Sequence, residues 1–88
     1  MRTFSRTSQF KKDVKRAVKR GWNLAKLREV MDWLMEGDPM PPAWRDHALR
    51  GEWSGSRDCH IEPDWVLIYT LIGNHVHFER TGSHSDLF

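Results

Sequence analysis

Cysteine is scarce in this 88-residue sequence, and long apolar runs are absent. The single cysteine, Cys59, has no partner for an internal disulfide, which favours a reducing compartment. The longest apolar run, Trp65–Ile72, is far too short to cross a bilayer, and the N-terminal residues lack the apolar stretch of a signal peptide. We therefore expect a soluble, cytoplasmic protein without a membrane segment.

Motifs for several common chemistries are absent as well. There is no Gly-rich phosphate loop, no Ser-His-Asp pattern and no nucleophile elbow. His75 and His77 could begin a zinc site, but no third ligand follows at a recognised spacing. The sequence therefore predicts no bound metal and no cofactor.

The chain has room for one domain, residues 1–88, with one modest core. Its composition is 39% hydrophobic and 30% charged, which is ordinary for a globular protein. Five tryptophans are many for so short a chain. We expect most of them to anchor the core, while some could stack on nucleic-acid bases.

Charge is distributed unevenly along the sequence. Residues 1–28 carry ten of the 14 lysines and arginines and a single acid, Asp13, while the other residues carry eleven of the 12 acids. A basic N-terminal block favours contact with phosphate groups or with an acidic protein. A solvated helix face would produce the same pattern, so both interpretations stay open.

Hydrophobic spacing predicts the elements of the fold. A short strand is expected at Arg2–Ser5, and two amphipathic helices at Ser8–Arg20 and, with Asn23 as N-cap, Asn23–Glu36. After a Pro-rich loop the spacing becomes that of strands, which we expect at Ala48–Trp53, Ser56–Ile61, Trp65–Ile72 and Asn74–Thr81. This order predicts an α+β fold in which two helices pack on one face of an antiparallel sheet meander. The other face would stay available for a substrate.

Four polar residues could carry proton-transfer chemistry. His47, His60, Asp64 and His84 fall in loops, in the tail or near strand ends, where scaffolds commonly display functional groups. Histidine suits proton transfer because its ordinary pKa lies near neutrality. Each of the four could also be a structural or solvated residue, since Asp64, for example, could simply shape the turn after Pro63.

Three blocks of the sequence resemble the YafQ branch of the RelE-type toxins. The blocks are Asp46-His47-x-Leu49-x-Gly51-x-Trp53, Arg57-Asp58-x-His60-x-Glu62-Pro63-Asp64-Trp65-x-Leu67-Ile68-Tyr69 and Phe78-Glu79-Arg80-Thr81-Gly82-x-His84-x-x-Leu87-Phe88. Their order and separation make the match far more specific than one short motif. A looser likeness extends to Lys12-Asp13-Val14-Lys15 in the first helix.

The resemblance implies the toxin of a type II toxin–antitoxin pair with a RelE-like fold. Such toxins enter the decoding site of a translating ribosome and cut the messenger RNA there without a metal. The implied partners are messenger RNA, ribosomal RNA of the small subunit and a DinJ-like antitoxin. DNA would be bound only by the complex with the antitoxin.

The resemblance also assigns roles to residues of this sequence. Catalysis falls on His47, His60, Asp64 and His84, and substrate binding on Phe88, with softer correspondences at Trp65, Arg57 and Arg80. We expect His84 to be the leading proton-transfer residue. Asp64 and His60 would be the base or would orient it, and His47 would stabilise phosphate or transfer a proton. The basic helix would contact ribosomal RNA or the antitoxin through Lys11, Lys12, Lys15, Arg16, Lys19 and Arg20.

Two other functions are compatible with parts of the sequence. ParE-type toxins on the same scaffold do not cleave RNA, so a non-catalytic binding protein is the main alternative. A small DNA-binding repressor is the second, although the acidic residues Glu29, Asp32 and Glu36 of the second helix make a poor major-groove surface.

Overall fold

A five-stranded sheet forms the centre of the molecule, and two helices cover one of its faces. The computed structural model describes all residues, 1–88. Its elements are β1 (Thr3–Arg6), α1 (Ser8–Lys19), α2 (Leu24–Glu36), β2 (His47–Ala48), β3 (Arg57–Glu62), β4 (Trp65–Ile72), β5 (His75–Gly82) and α3 (His84–Leu87). None of the helices combines the length and apolar character that crossing a membrane would need.

The two long helices end at residues suited to those positions. The Thr7 side chain caps α1 by accepting a hydrogen bond from the Phe10 backbone N–H. Asn23 caps α2, as the sequence predicts, and accepts from the Ala25 backbone N–H. Gly37 ends α2 with a φ of 82°, the left-handed conformation that glycine adopts without a steric penalty. Both predicted helices are confirmed to within one residue of their ends.

The strands follow the order β1-β5-β4-β3-β2. The pairs β2–β3, β3–β4 and β4–β5 are antiparallel, and β1 runs parallel to β5 at the edge of the sheet. The predicted α+β class and the meander of the C-terminal strands are therefore confirmed. The sheet is mostly antiparallel, with β1 as the exception.

The main core lies between the helices and the sheet. It comprises Phe10, Ala17, Leu27, Val30 and Leu34 of the helices and Cys59, Trp65, Leu67, Tyr69, Val76 and Phe78 of the strands. A second, smaller cluster lies on the opposite face, where Val66 and Ile68 of β4 pack against Leu87 of α3. The face that α1 and α2 leave uncovered is therefore partly closed by α3.

The segment after β2 differs from the prediction. We expected a strand at Ala48–Trp53, but β2 ends at Ala48 and a 3-10 helix forms at Gly51–Trp53. Gly51 has a φ of 68°, which interrupts an extended strand. Leu49 and Trp53 instead pack on the second cluster. The predicted long strand is wrong because these side chains cover the sheet rather than extend it.

The tail after β5 is also more ordered than expected. His84–Leu87 forms the short helix α3, whose N-cap is Ser83. Ser83 and Asp86 form a capping box, in which each side chain accepts a hydrogen bond from the backbone N–H of the other residue. This box fixes the segment that carries His84.

Candidate active site

Strand register brings the candidate residues to the face that α1 and α2 leave uncovered. His60 lies opposite Val66, and Asp58 lies opposite Ile68. Directly paired residues point to the same face of a sheet. Since Val66 and Ile68 pack against Leu87, His60 and Asp58 share the face covered by α3.

Three histidine rings form a row on this face. The ring centroid of His60 lies 6.3 Å from that of His47 and 5.3 Å from that of His84. A hydrogen bond spans about 2.6–3.2 Å, so a group placed between two neighbouring rings lies within reach of both. We call His47, His60 and His84 the histidine row. The structure thus gathers three of the predicted catalytic residues, which come from β2, β3 and α3.

Asp64, in the turn between β3 and β4, is hydrogen-bonded to His84. Its Oδ1 accepts a hydrogen bond of 2.9 Å from the His84 backbone N–H and lies 2.6 Å from His84 Nδ1. The backbone bond and then the ring bond lower the pKa of Asp64, so its carboxylate is ionised at neutral pH. With a proton on Nδ1, His84 presents Nε2 to a substrate. The fourth predicted catalytic residue therefore also joins the cluster.

The backbone of Arg45 orients His47 at the other end of the row. His47 Nδ1 donates a hydrogen bond of 2.8 Å to the Arg45 carbonyl oxygen, which leaves Nε2 free. Arg45 is the only residue other than glycine with a positive φ, 48°. This conformation costs about 1–3 kcal/mol and persists where the surrounding structure requires it. Here it places a carbonyl group beside His47.

Asp58 lies beneath the histidine row and is absent from the predicted site residues. It is 3% exposed, and its Oδ1 has no hydrogen-bond partner. His47 Nδ1 is 3.1 Å from this oxygen, but the proton of that nitrogen points to Arg45. Burial raises the pKa of Asp58, and the charges of His47, His60 and His84 oppose this effect. A buried carboxylate is thus part of the site.

His60 occupies the most sheltered position of the row. Its burial lowers the pKa of the ring, the charge of Asp58 opposes that shift, and His84 and His47 add to it. A lowered pKa favours the neutral imidazole at physiological pH. The neutral ring is the form that accepts a proton.

The row borders two surfaces that a nucleotide could occupy, one at His84 and one at His60. The Phe88 ring centroid lies 6.2 Å from that of His84, and Phe88 is 60% exposed. At His60 the row adjoins a cavity of about 410 Å³, whose lining includes Trp44, Arg45 and Glu62. An exposed aromatic ring and an open hollow are therefore available next to the histidines.

Contacts with α1 fix the helix that carries His84. Asp86 of α3 accepts hydrogen bonds from the Arg20 guanidinium at 2.6 and 3.0 Å and from the Ser83 backbone N–H at 2.9 Å. The Arg20 guanidinium is the main reason why the pKa of Asp86 lies well below its usual range. A Cβ atom at Gly82 would lie 2.9 Å from Asp86 Oδ2. Only glycine allows this close approach.

The six basic residues of α1 and its C-cap fall into two groups. Arg16 and Arg20 form ion pairs with Asp86, so they anchor α3, a role that the sequence does not indicate. The others are exposed and form no ion pair within the chain: Lys11, Lys12, Lys15 and Lys19. These four lysines stay predicted contacts for ribosomal RNA or an antitoxin.

Arg57 is not brought to the histidine row. It lies opposite Tyr69, on the face that the helices cover. Its Nη2 donates to Asp46 Oδ2 at 3.0 Å, and the Tyr69 hydroxyl donates to the same carboxylate. Arg57 therefore organises the start of β3, and the predicted substrate contact does not follow from its position.

Arg80 lies on the face of the row but is bound by a buried carboxylate. It is opposite Ile68, and its Nε and Nη2 donate to Asp13 at 2.7 and 3.1 Å. Asp13 is 2% exposed and also accepts from the Thr81 backbone N–H at 3.2 Å. Arg80 thus joins α1 to β5, and its contact with phosphate stays a prediction.

Trp65 belongs to the core. It is 1% exposed, its Nε1 donates to Thr81 Oγ1 at 2.9 Å, and its ring centroid lies 4.9 Å from that of Trp22. A buried ring cannot stack on a base. The predicted substrate contact at Trp65 does not follow from this position, and the ring contributes to packing.

Three other reactive side chains lie apart from the row. His75 and His77 share the hydroxyl of Ser5, with nitrogen–oxygen distances of 2.7 and 2.5 Å. Cys59 is buried in the main core, and burial raises the pKa of its thiol, which disfavours a thiolate. No group of three or more His, Cys, Asp or Glu side chains has a geometry that could hold a metal ion.

Comparison with known proteins places this chain in a family. The sequence model of YafQ, a bacterial toxin of type II toxin–antitoxin systems, matches residues 2–88. The mRNA interferase toxin YafQ of Escherichia coli strain K12 is 47% identical over 83 residues, which cover 93% of this chain and 90% of that protein.

Solved structures support the same placement. The crystal structure of the Escherichia coli DinJ–YafQ complex contains a chain that matches with a TM-score of 0.94 and 45% identity, covering 100% of this chain and 99% of that one. A metal-bound toxin from Helicobacter pylori matches with a TM-score of 0.92 and 38% identity over 100% of both chains. The chain therefore belongs to the YafQ family of toxins of bacterial type II toxin–antitoxin systems.

Proposed function

We propose that this protein is a ribosome-dependent endoribonuclease toxin, an mRNA interferase that cuts messenger RNA in the decoding site and so inhibits translation. The Escherichia coli relative bears the name of an mRNA interferase toxin. The single observation that carries the proposal is the histidine row with Asp64 bonded to His84. A protein that only binds a partner would not need this arrangement.

RNA supplies its own nucleophile for the proposed reaction. The 2′-hydroxyl oxygen attacks the adjacent phosphorus, the bond from phosphorus to the 5′-oxygen breaks, and a 2′,3′-cyclic phosphate remains. A base must take the 2′-hydroxyl proton, and an acid must give a proton to the leaving 5′-oxygen. Positive charge or hydrogen-bond donors must stabilise the phosphorane. Neighbouring imidazoles can meet all three needs.

The environments of the three rings support separate roles for them. We assign the acid to His84, because the ionised Asp64 facing Nδ1 stabilises an imidazolium and directs Nε2 outward. We assign the base to His60, because its lowered pKa favours the neutral ring. His47 presents a free Nε2 at the end of the row, where it would stabilise phosphate or share the proton transfer.

The proposed reaction is independent of metal ions. Its support is the chemistry of the cluster, which supplies acid and base without a Lewis acid, together with the lack of a group of side chains arranged to ligate one. The Helicobacter pylori relative has been crystallised as a metal-bound toxin, so metal independence is tested directly. A chelator added at controlled magnesium, which keeps ribosomes intact, should leave the rate of cleavage unchanged.

Phe88 is the proposed contact for a base next to the scissile phosphate. Its ring is exposed and lies beside His84. Stacking of a base on an aromatic ring is worth about 1–3 kcal/mol. Such a contact would hold the nucleotide while His84 acts on the leaving oxygen.

The exposed lysines of α1 suit the proposed macromolecular partners. Lys11, Lys12, Lys15 and Lys19 form no ion pair within the chain, so their charges are available to ribosomal RNA phosphates. An acidic segment of a DinJ-like antitoxin could cover the same surface, since the Escherichia coli relative crystallised in complex with DinJ. DNA would be bound only by the complex with the antitoxin.

The test is to express the wild-type chain and His84→Ala side by side and to map messenger ends in polysomes. We expect the variant to stay folded and cleavage to fall by at least about 100-fold, the usual contribution of an acid–base group. His75→Ala is the matched control, since His75 lies on the sheet but is bonded to Thr3 and Ser5 instead of the row. It should retain cleavage.

Two outcomes would count against this function. Undiminished cleavage by His84→Ala would show that His84 is not the acid. Growth arrest by the wild-type chain without new messenger ends would favour the non-catalytic alternative, a ParE-like binding protein on the same scaffold.

A further inference from the structure

Asp58 is a charged group at the histidine row with no part in the proton transfers assigned to the three rings. It precedes His60 by two positions on β3, so both side chains share one face. It also lies opposite His47 in the β2–β3 pair. Its Oδ1 is buried and accepts no hydrogen bond, since the Nδ1 of His47, 3.1 Å away, donates its proton to Arg45; burying a carboxylate oxygen without a hydrogen bond is costly. Folding alone therefore does not explain why a carboxylate occupies this position.

Charged groups face Asp58 from several elements of the fold. His47 of β2, His60 of β3 and His84 of α3 each favour its ionised form when they carry a proton. Asp46, in the loop before β2, disfavours it. All three rings of the row therefore interact electrostatically with one carboxylate.

Asp58 in turn affects the protonation of His60, the central ring of the row. Burial and the charges of His84, His47 and Arg45 all disfavour a proton on His60, whereas the charge of Asp58 favours one. Neighbouring imidazoles repel each other's protons in the same way. Removing the carboxylate would leave the row surrounded by groups that expel protons.

We propose that Asp58 is a positioning residue of the histidine row, and that its buried carboxylate is the counter-charge that keeps one proton on these three rings. The proposal rests on the nuclease function proposed above. Asp58 acts through His47, His60 and His84 and does not touch the RNA. It sets the pH range in which the row holds both a neutral base and a protonated acid.

The proposed reaction needs one protonated ring in the row before it begins. The 2′-hydroxyl gives its proton to His60, while His84 gives one to the 5′-oxygen as that oxygen leaves phosphorus. The number of protons on the row is therefore unchanged by the step, and one must be present before it begins. A row that is fully deprotonated has a base but no acid. The counter-charge opposes that state.

The test is Asp58→Asn, which removes the charge at almost constant volume. Nuclear magnetic resonance titration of the histidine ring protons should show the midpoints of the row falling by about 0.5–1 pH unit, because one nearby opposite charge is lost. In ribosome-dependent cleavage, kcat at pH 7.5 should fall by about tenfold, with KM changed by less than about twofold. The pH optimum should move toward acid by the same amount as the midpoints.

Two companion variants separate charge from structure. Glu79→Gln also removes a carboxylate from a strand of the sheet, but Glu79 is bonded to Thr70 at 2.8 Å and lies 3.7 Å from His77. It should leave the titration of the row and the cleavage unchanged. Asp58→Glu restores the charge and should return the pH optimum toward that of the wild type.

The proposal and the nuclease function can fail separately. Histidine titrations that are identical in Asp58→Asn and the wild type would overturn the role of Asp58, whatever the activity. Equal loss of cleavage at every pH, without rescue by Asp58→Glu, would also overturn it. Failure of the wild-type chain to cut messenger RNA would instead reject the nuclease function, and the titrations would still report on the counter-charge.

Discussion

Nδ1 of His84 lies 2.6 Å from Oδ1 of Asp64, although the two residues are 20 positions apart. Their side chains are 48% and 70% exposed, so the ion pair adds little to the stability of the fold. Its effect is on orientation, since the carboxylate fixes which nitrogen of the ring faces outward. The pair therefore supports the proposed catalytic role of His84 and is not needed for the stability of the fold.

The first prediction concerns Asp64→Asn. The amide can no longer stabilise a charged ring, and its NH₂ group favours the wrong tautomer of His84. We expect kcat for messenger cleavage to fall by about 10–100-fold, with an unchanged melting temperature. Glu62→Gln is the control, because Glu62 ends β3 beside the same turn but pairs with Lys26. A kcat for Asp64→Asn within about twofold of the wild type would contradict the assignment.

The second prediction concerns the packing under α3. Gly82→Ala places a methyl group 2.9 Å from Asp86 Oδ2 and 3.1 Å from Arg16 Nη2, so α3 must shift. We expect cleavage to fall by at least about tenfold, because misplacing a catalytic group by about 1 Å can cost 100-fold. Chemical shifts of the α1–α2 core should change little. Full activity in this variant would show that the position of α3 is not critical.

The third prediction concerns acid stability. The folded-state pKa of Asp86 is depressed, mainly by Arg20, so the ion pair stabilises the fold above the ordinary pKa of aspartate, about 3.9. That contribution is lost as the pH falls below this value toward the folded pKa. Thermal unfolding of the wild type and Asp86→Asn should therefore differ most near neutrality and converge toward pH 2. Parallel curves across this range would contradict the pairing.

The fourth prediction concerns the exposed lysines of α1. Replacing Lys12 and Lys15 by Gln should weaken ribosome binding and reduce the slope of log affinity against log salt by about 0.7–0.9 for each lost phosphate contact. Single-turnover cleavage of bound messenger should stay within about twofold of the wild type. Lys26→Gln is the control, since Lys26 lies on α2 and pairs with Glu62. An unchanged slope of log affinity against log salt would show that Lys12 and Lys15 do not contact ribosomal RNA phosphates.

Much of the fold could be predicted from the sequence because its signals are local. Amphipathic spacing and the Asn23 cap fix the two helices, and the apolar run Trp65–Ile72 matches β4 at both ends. The 3-10 helix at Gly51–Trp53 was missed, because alternating residues suggest a strand whether they extend a sheet or cover it. The pattern of Ser83 and Asp86 was a capping-box signal that could have identified α3.

The site was only partly predictable, because burial and partners are tertiary properties. The structure gathers His47, His60, Asp64 and His84, as the family resemblance implied. It also buries Trp65 in the core. No local sequence pattern distinguishes a buried aromatic residue from an exposed one. Asp58 was missed because its burial could not be predicted from the sequence. A carboxylate on a strand is usually solvated, and only the packing of α3 and the loop after β2 shows that this one is not.

The measurement that tests the central claim most directly is cleavage of a ribosome-bound messenger with a single 2′-deoxynucleotide at the position of the cut. The mechanism predicts no cleavage of this messenger by the wild-type chain, while the matched all-ribose messenger is cut and leaves a 2′,3′-cyclic phosphate. Cleavage of the deoxy-substituted messenger at the same position, or a free 3′-hydroxyl at the new end, would contradict the use of the 2′-hydroxyl as the nucleophile.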